Sequence, residues 1–280
     1  MIPPLYKYVT ADGLDILLSR RIKATPPNSF NDAFEFQPLF DGRPSRKFVR
    51  RHVHDKQQLR EQYNLAVLLR RTNESFKAYK ARCRHVANTD GHELADRVVQ
   101  RLDEERTAMV DKLSTMIGVI CFTTVPNSLL MWAHYSASHT GLVIEFNVTD
   151  RIFVETPRLS PVIYSQKRPV LPLDGNSPTS LSDAGWIALL TKSTEWQYEA
   201  EWRTTTPLAL TIQSVQDGRT EFFAPLPPSA IKSVILGARS SQALQCKVLG
   251  LAGTEAFRHI SIAQARLHDT EYRLETTKIE

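Results

Sequence analysis

Three cysteines in 280 residues, Cys83, Cys121 and Cys246, are too scattered for a disulfide framework or a cysteine-rich zinc site, and their number is odd. Cys121 lies in an apolar run and reads as a small core residue. No run approaches the roughly 18 apolar residues of a membrane helix. The opening Met1-Ile2-Pro3-Pro4 lacks the apolar stretch of a secretory signal. The expectation is a soluble, cytoplasmic protein with no membrane partner. The common chemical signatures are missing as well: there is no GxGxxG, Walker loop, GxSxG elbow, HExxH or paired CxxC. No internal repeat is visible.

What is present is enough apolar residue, 42% of the chain, for a packed core. The net charge of +5 is uneven. Arg43–Arg51 and Arg70–Arg84 are dense in arginine and lysine, which suits either a solvated helical face or an acidic partner such as nucleic acid.

Read in order, Leu5–Val9 has the pattern of a strand, Leu14, Leu17 and Leu18 follow helical spacing after Thr10 as N-cap, and Ile22–Ala24 returns as a strand. A turn-rich loop follows, Asn28–Glu35, whose Asn28, Asn31 and Asp32 are ordinary turn formers. Residues 44–116 hold little glycine or proline and show apolar residues at helical intervals, so they are expected to form a basic helical insertion or cap. Val119–Phe122 and Leu142–Phe146 are apolar strands, and a short helix from Ser128 lies between them. Ile152–Val154 and Val162–Tyr164 are further expected strands, Arg168–Ser180 a loop, and Ser182 or Asp183 the cap of a helix ending near Thr194. Glu195–Arg203 alternates strictly, with Trp196, Tyr198, Ala200 and Trp202 on one parity and Glu195, Gln197, Glu199, Glu201 and Arg203 on the other, the pattern of a strand. Ile231–Gly237, a helix from Ser240 or Ser241, and His259–Ile262 suggest one parallel pairing. The whole reads as a single α+β domain over residues 1–280, with a mixed, mostly antiparallel central sheet and the insertion at 44–116.

Two constellations can carry chemistry. Glutamates one pleat apart at Glu199 and Glu201 would repel, raising one pKa, and so could divide acid and base roles, with Arg203 holding an ionised carboxylate or an anion. The alternative is a solvated strand face with cross-strand ion pairs. The second constellation is Trp132, His134, Tyr135 and His139. The histidines are five apart, which is not the spacing of a helical zinc pair, so no metal is expected. They suit donors to ribose or phosphate with Trp132 or Tyr135 as a stacking platform, or else an aromatic core helix. Tyr6 and Tyr8 share one face of the first strand and Lys7 the other.

Taken together, LYKY, RIKATPPNSFNDAFE, CFT, LLMWAHYSASHTGLVIEF and EWQYEAEWR resemble the bacterial family called domain of unknown function 2971. More distantly, an early strand with polar aromatics, a central unit and a late Glu-x-Glu resemble ADP-ribosyltransferases. That resemblance implies an enzyme using NAD as substrate, either a transferase or an NAD glycohydrolase, without metal. Glu201 would be the catalytic glutamate, with Glu199 and His134 beside it. Tyr6, Lys7 or Tyr8 would supply the early-strand contact. Asn31, Trp132, Tyr135, His139 and Arg203 would line the nucleotide pocket. The partner would be a nucleotide, with a nucleic acid or protein as acceptor. The first strand departs from that pattern in having no histidine or arginine, and no Ser-Thr-Ser run is present. Rival readings are a nucleic-acid-binding or processing protein acting through the basic segment, and a non-enzymatic sensor or interaction module.

Overall fold

The computed structural model describes residues 2–41, 56, 59–60, 63, 73–89, 111, 113–154, 159–172, 181–216 and 218–279. Its strands, in chain order, are β1 (Leu5–Val9), β2 (Arg21–Lys23), β3 (Leu39–Asp41), β4 (Ile117–Thr123), β5 (Leu142–Phe146), β6 (Ser160–Pro161), β7 (Ile163–Ser165) and β8 (Val170–Pro172). They continue with β9 (Thr191–Ser193), β10 (Glu201–Pro207), β11 (Ile212–Gln216), β12 (Arg219–Pro225), β13 (Ile231–Leu236), β14 (Ser261–Leu267) and β15 (Leu274–Ile279). The class is α+β, as the sequence implied. The chain divides into two compact units: residues 1–35, 111–167 and 190–280 in one, and 36–110 with 168–189 in the other.

The first unit is built on an eight-stranded sheet in the order β15-β14-β13-β5-β1-β4-β10-β6. Among the described residues only β13 and β14 pair in parallel within it, joined by the helix Gln242–Ala252. Ser241 caps that helix by accepting from the Leu244 amide, as a Ser before an apolar-periodic run should. Alternation of side chains divides the core in two. Leu5 and Val9 of β1, Ile120 and Phe122 of β4, and Leu142, Ile144 and Phe146 of β5 pack on one face. Tyr8, Val143 and Ile235 pack on the other with Met131 and Trp132 of the helix Leu129–Tyr135. Lys7 shares the parity of Leu5 and Val9, and its ammonium donates to the Cys121 carbonyl at 2.9 Å. That bond lies between the sole β1–β4 register pair, Tyr6 with Thr123, and the bridge of Thr25 to Val119. A side chain thus stands where the two backbones part. A three-stranded sheet, β11-β12-β2, and the parallel pair β7-β9 complete the unit.

In the second unit β3 and β8 pair in parallel, and Arg168 donates through Nε to the Gln37 carbonyl at 2.8 Å. The helix Phe76–Thr89 buries Tyr79, and an Arg82–Glu74 ion pair of 2.7 Å flanks it. Of the expected helical insertion 44–116 this is the longest described piece. The basic stretch Arg43–Arg51 lies outside the described residues.

Four expectations fail. The helix expected to end near Thr194 stops at Leu190, and β9 follows it. Arg151–Val154 is a helical turn, not a strand, because Asp150 accepts from the Ile152 amide and caps it at 3.0 Å. Arg168–Ser180 contains β8 rather than only loop. Most consequentially, Glu195–Arg203 is not one strand. Thr194–Glu199 winds into a 3-10 helix, Ala200 is left-handed at φ 41° and ψ 52°, and only from Glu201 does the chain extend. Ser193 starts the turn by accepting from the Glu195 amide. The alternation is real, but a serine before a Thr-Glu pair offers the backbone a competing local bond.

Candidate functional site

Glu201 and Arg203 sit two residues apart on β10 and so share a face, opposite Thr123 and Cys121 of β4. That face is interior: Glu201 is 6% exposed and Arg203 1%. Arg203 grips Glu201 with two nitrogens, Nε to Oε1 and Nη2 to Oε2, each at 2.8 Å, a fork geometry stronger than a single bond. Its Nη2 also reaches Glu35, delivered by the loop that begins at Asn28, and the ring of Phe30 lies 5.2 Å beneath the guanidinium.

The left-handed residue Ala200 reverses the chain so that Glu199, although off the strand, points into the same space. Glu199 is 3% exposed. Its Oε2 takes a bond of 2.6 Å from Lys192, and its Oε1 accepts from the Tyr135 hydroxyl. Lys192 also reaches Glu201 Oε2 at 3.1 Å and Glu35 at 3.9 Å. One buried ammonium therefore serves three carboxylates. Lys192 stands on β9 in register with Tyr164 of β7, and the Tyr164 hydroxyl accepts from the Glu201 amide at 2.8 Å. Cys121 of β4 lies near enough to Glu201 for each to act on the other's titration.

Burial and charge pull these groups in opposite directions. Burial pushes the Glu201 carboxyl above its ordinary value, against the opposing pull of Lys192. Burial also pushes the Arg203 guanidinium down and the Cys121 thiol well up. For Lys192 burial works against the charge, yet Glu201 and Glu199 outweigh it and hold the pKa above the usual lysine value. Burial, followed by the bond to Glu199, raises the Tyr135 phenol. Tyr164 is raised by burial first. Burial lowers Lys7.

A half-buried aromatic rim adjoins the cluster. The Trp196 ring lies 4.9 Å from the Lys192 ammonium, and Tyr198 lies between Trp196 at 6.2 Å and exposed His134 at 6.4 Å. Asn31 bonds Tyr135.

The remaining sequence-selected residues lie apart from the carboxylates. Trp132 is fully buried, and its Nε1 donates to the Pro126 carbonyl at 3.0 Å. Its ring is flanked by Tyr8, edge-on at 5.3 Å, and by His139, stacked at 6.1 Å. The Tyr8 hydroxyl donates to Val125 and accepts from the Ser128 amide. His139 ends a run of left-handed residues, Ala137, Ser138 and His139 at φ 48°, 55° and 69°, and its Nδ1 is buried with no partner. Tyr6 lies across from Glu145 of β5. Lys192, Glu35, Tyr164 and Cys121 are cluster members that sequence reasoning did not select. Lys192 fell inside an expected helix, and its one signal was a lone lysine before a carboxylate-rich segment. Among the described residues no group of three or more His, Cys, Asp or Glu is placed to hold a metal ion, and no helix is long and apolar enough to cross a membrane.

The stretch just described coincides with the one that similarity picks out. Residues 131–204 match the family model "Protein of unknown function (DUF2971)". The match supports the DUF2971 resemblance across the helix of Tyr135, β5, β9 and the first half of β10. The LYKY and RIKATPPNSFNDAFE blocks lie outside it. No curated protein and no solved structure matches the chain.

Proposed function

We propose that this chain is an NAD-using enzyme of the ADP-ribosyltransferase kind, a transferase or an NAD glycohydrolase, with Glu201 as the catalytic carboxylate. The observation that carries the reading is the meeting of two buried glutamates on one lysine beside an aromatic rim. Breaking the bond between nicotinamide and ribose sends the bonding pair to the nicotinamide nitrogen and leaves positive charge on the ribose, until water or an acceptor hydroxyl adds. A carboxylate already stripped of water and fixed in direction stabilises that charge without reorganising. Arg203 supplies the fixing and Lys192 opposes the protonation that burial favours. Glu199, tied to Tyr135 and Lys192, is a positioning residue, and Trp196, Tyr198 and His134 are the surfaces a flat heterocycle would meet.

The test is release of nicotinamide from labelled NAD by pure protein. Wild type should release it, and Glu201→Gln should lose on the order of a hundredfold or more of the rate. Equal rates, or no release by the wild type, would overturn the proposal. A second reading rests on a different observation: each oxygen of Glu199 and Glu201 is already engaged within the cluster. A closed network of this kind also suits a non-enzymatic module, whose mark would be destabilisation by Glu201→Gln in a wild-type protein inert toward NAD.

A further inference from the structure

Two of the three carboxylates on the buried cations belong to the framework, and the third comes from a loop. Glu199 and Glu201 are set by the turn at Ala200 and by β10. Glu35 ends the segment 28–35. Its side chain, 2% exposed, meets Arg203 Nη2 and lies 3.9 Å from the Lys192 ammonium. The segment is thin. Phe30, beneath the Arg203 guanidinium, and Glu35 face inward, while Ala33 and Phe34 are exposed, Phe34 by 67%.

The segment's backbone ties are local. The Phe30 amide donates to the Pro27 carbonyl and the Glu35 amide to that of Asp32, and the Phe34 amide donates to Asp32 Oδ1 at 2.9 Å. Its near end is fixed, because the Asn28 amide donates to Ser114 Oγ at 2.9 Å. From residue 30 to residue 35, among the described residues, side chains rather than backbone bonds hold the segment to the cluster. Phe36 then follows in the left-handed region at φ 56°, a costly conformation for a bulky side chain and one that structures tend to keep at functional sites. The chain is strained directly beside Glu35.

We infer that residues 28–35 form a self-inhibitory plug, in which the Glu35 carboxylate occupies an oxyanion subsite made by Arg203 and Lys192, and that a phosphate group of the substrate takes this place when the plug lifts. On the NAD reading, on which the identity of the anion rests, that group is the pyrophosphate. Lifting the plug leaves the rest of the cluster standing, since Lys192 keeps Glu199 and Glu201 and Arg203 keeps its fork on Glu201. A guanidinium makes the same charge-assisted bonds to phosphate as to carboxylate, and exchange of one oxyanion for another avoids a buried cation short of a partner. Phe36 is the hinge, a single position that absorbs the change in backbone angles.

The experiment measures calorimetric binding of inorganic pyrophosphate to wild type and Glu35→Gln, with chymotrypsin cleavage after Phe30 as the gauge of opening. The amide keeps the shape of the side chain and removes the competing charge. Pyrophosphate should therefore bind about tenfold more tightly to Glu35→Gln, the gain expected when the open state rises from roughly a tenth of the population to most of it. In the wild type, pyrophosphate should speed cleavage after Phe30. Phe30→Ala, which loosens the plug without changing its charge, should also bind pyrophosphate more tightly and serves if Glu35→Gln does not fold. Turnover of NAD should gain by a similar factor in kcat/KM in Glu35→Gln, through KM. Pyrophosphate binding that is absent, equal or weaker in the variants would overturn the plug, as would cleavage that pyrophosphate slows or leaves unchanged; nicotinamide release by the wild type would then leave the reaction standing. Tighter pyrophosphate binding in Glu35→Gln with no nicotinamide release would keep the plug and its subsite and sink the NAD reading.

Discussion

Lys192→Met offers the sharpest check on the buried cluster. The change removes a charge and keeps a chain of similar length, leaving Glu199 and Glu201 side by side without the ammonium that reaches both at 2.6 and 3.1 Å. With the lysine side chain only 4% exposed, water cannot readily take its place. Removing one partner of a buried pair costs roughly 3–5 kcal/mol. For a unit of the size that holds the cluster that is a drop in Tm of roughly 6–20 °C. The pH dependence gives the reasoning a sign. In the wild type Lys192 is raised by its carboxylates, so its contribution is complete below the unfolded lysine value and fades only as pH climbs through the raised one. In Lys192→Met the opposing pull of the ammonium on Glu201 is gone, and burial raises that carboxyl unopposed by it. Folded glutamates with raised pKa values lose stability as pH rises through them, so the variant should recover on acidification toward pH 4.5. Urea melts at pH 7.5 and 4.5 measure both effects. Equal stability at pH 7.5, or a deficit of the same size at both pH values, would show that Lys192 does not neutralise a buried pair.

Two backbone substitutions test the elements that bring the cluster together. Ala200→Gly relieves a left-handed alanine and should stabilise by about 0.5–1 kcal/mol, read as a higher urea midpoint with an unchanged slope; a lower midpoint would contradict the strain. Gly141→Ala would bring a Cβ to 2.1 Å from the Val9 carbonyl oxygen and 2.9 Å from Thr10 Cα. Backbone on both sides must then move, and a loss of about 3 kcal/mol or more is expected; a variant that melts with the wild type would refute that close approach.

The sequence made the sheet legible where a strand is apolar on both faces. Val119–Phe122 and Leu142–Phe146 announced β4 and β5 because both faces of each meet core. The helix between them was legible from Ser128, which does cap it, and the parallel β13–β14 pairing from its strand, helix, strand order. Glu199, Glu201 and Arg203 were selected for a sound chemical reason on an unsound geometric one. Period-two spacing set both glutamates on one strand, whereas they converge because Ala200 turns the chain, a conformation that nothing in an alanine advertises. Lys192 and Glu35 were illegible for a different reason. Their role comes from tertiary closure between segments far apart in sequence, and a lone charged residue carries no pattern of its own.

The position of β1 has a consequence for the order of assembly. It lies between β5 and β4, and the bond from Tyr8 to Val125 spans 117 residues. During synthesis at roughly 5–20 residues per second, the strand would wait on the order of ten seconds for a neighbour. Such non-local pairing also slows folding in general. Leu5 and Tyr8 stay unburied for that interval. The folding nucleus is then expected among β4, β5 and β10, with β1 docking into a slot they have already formed.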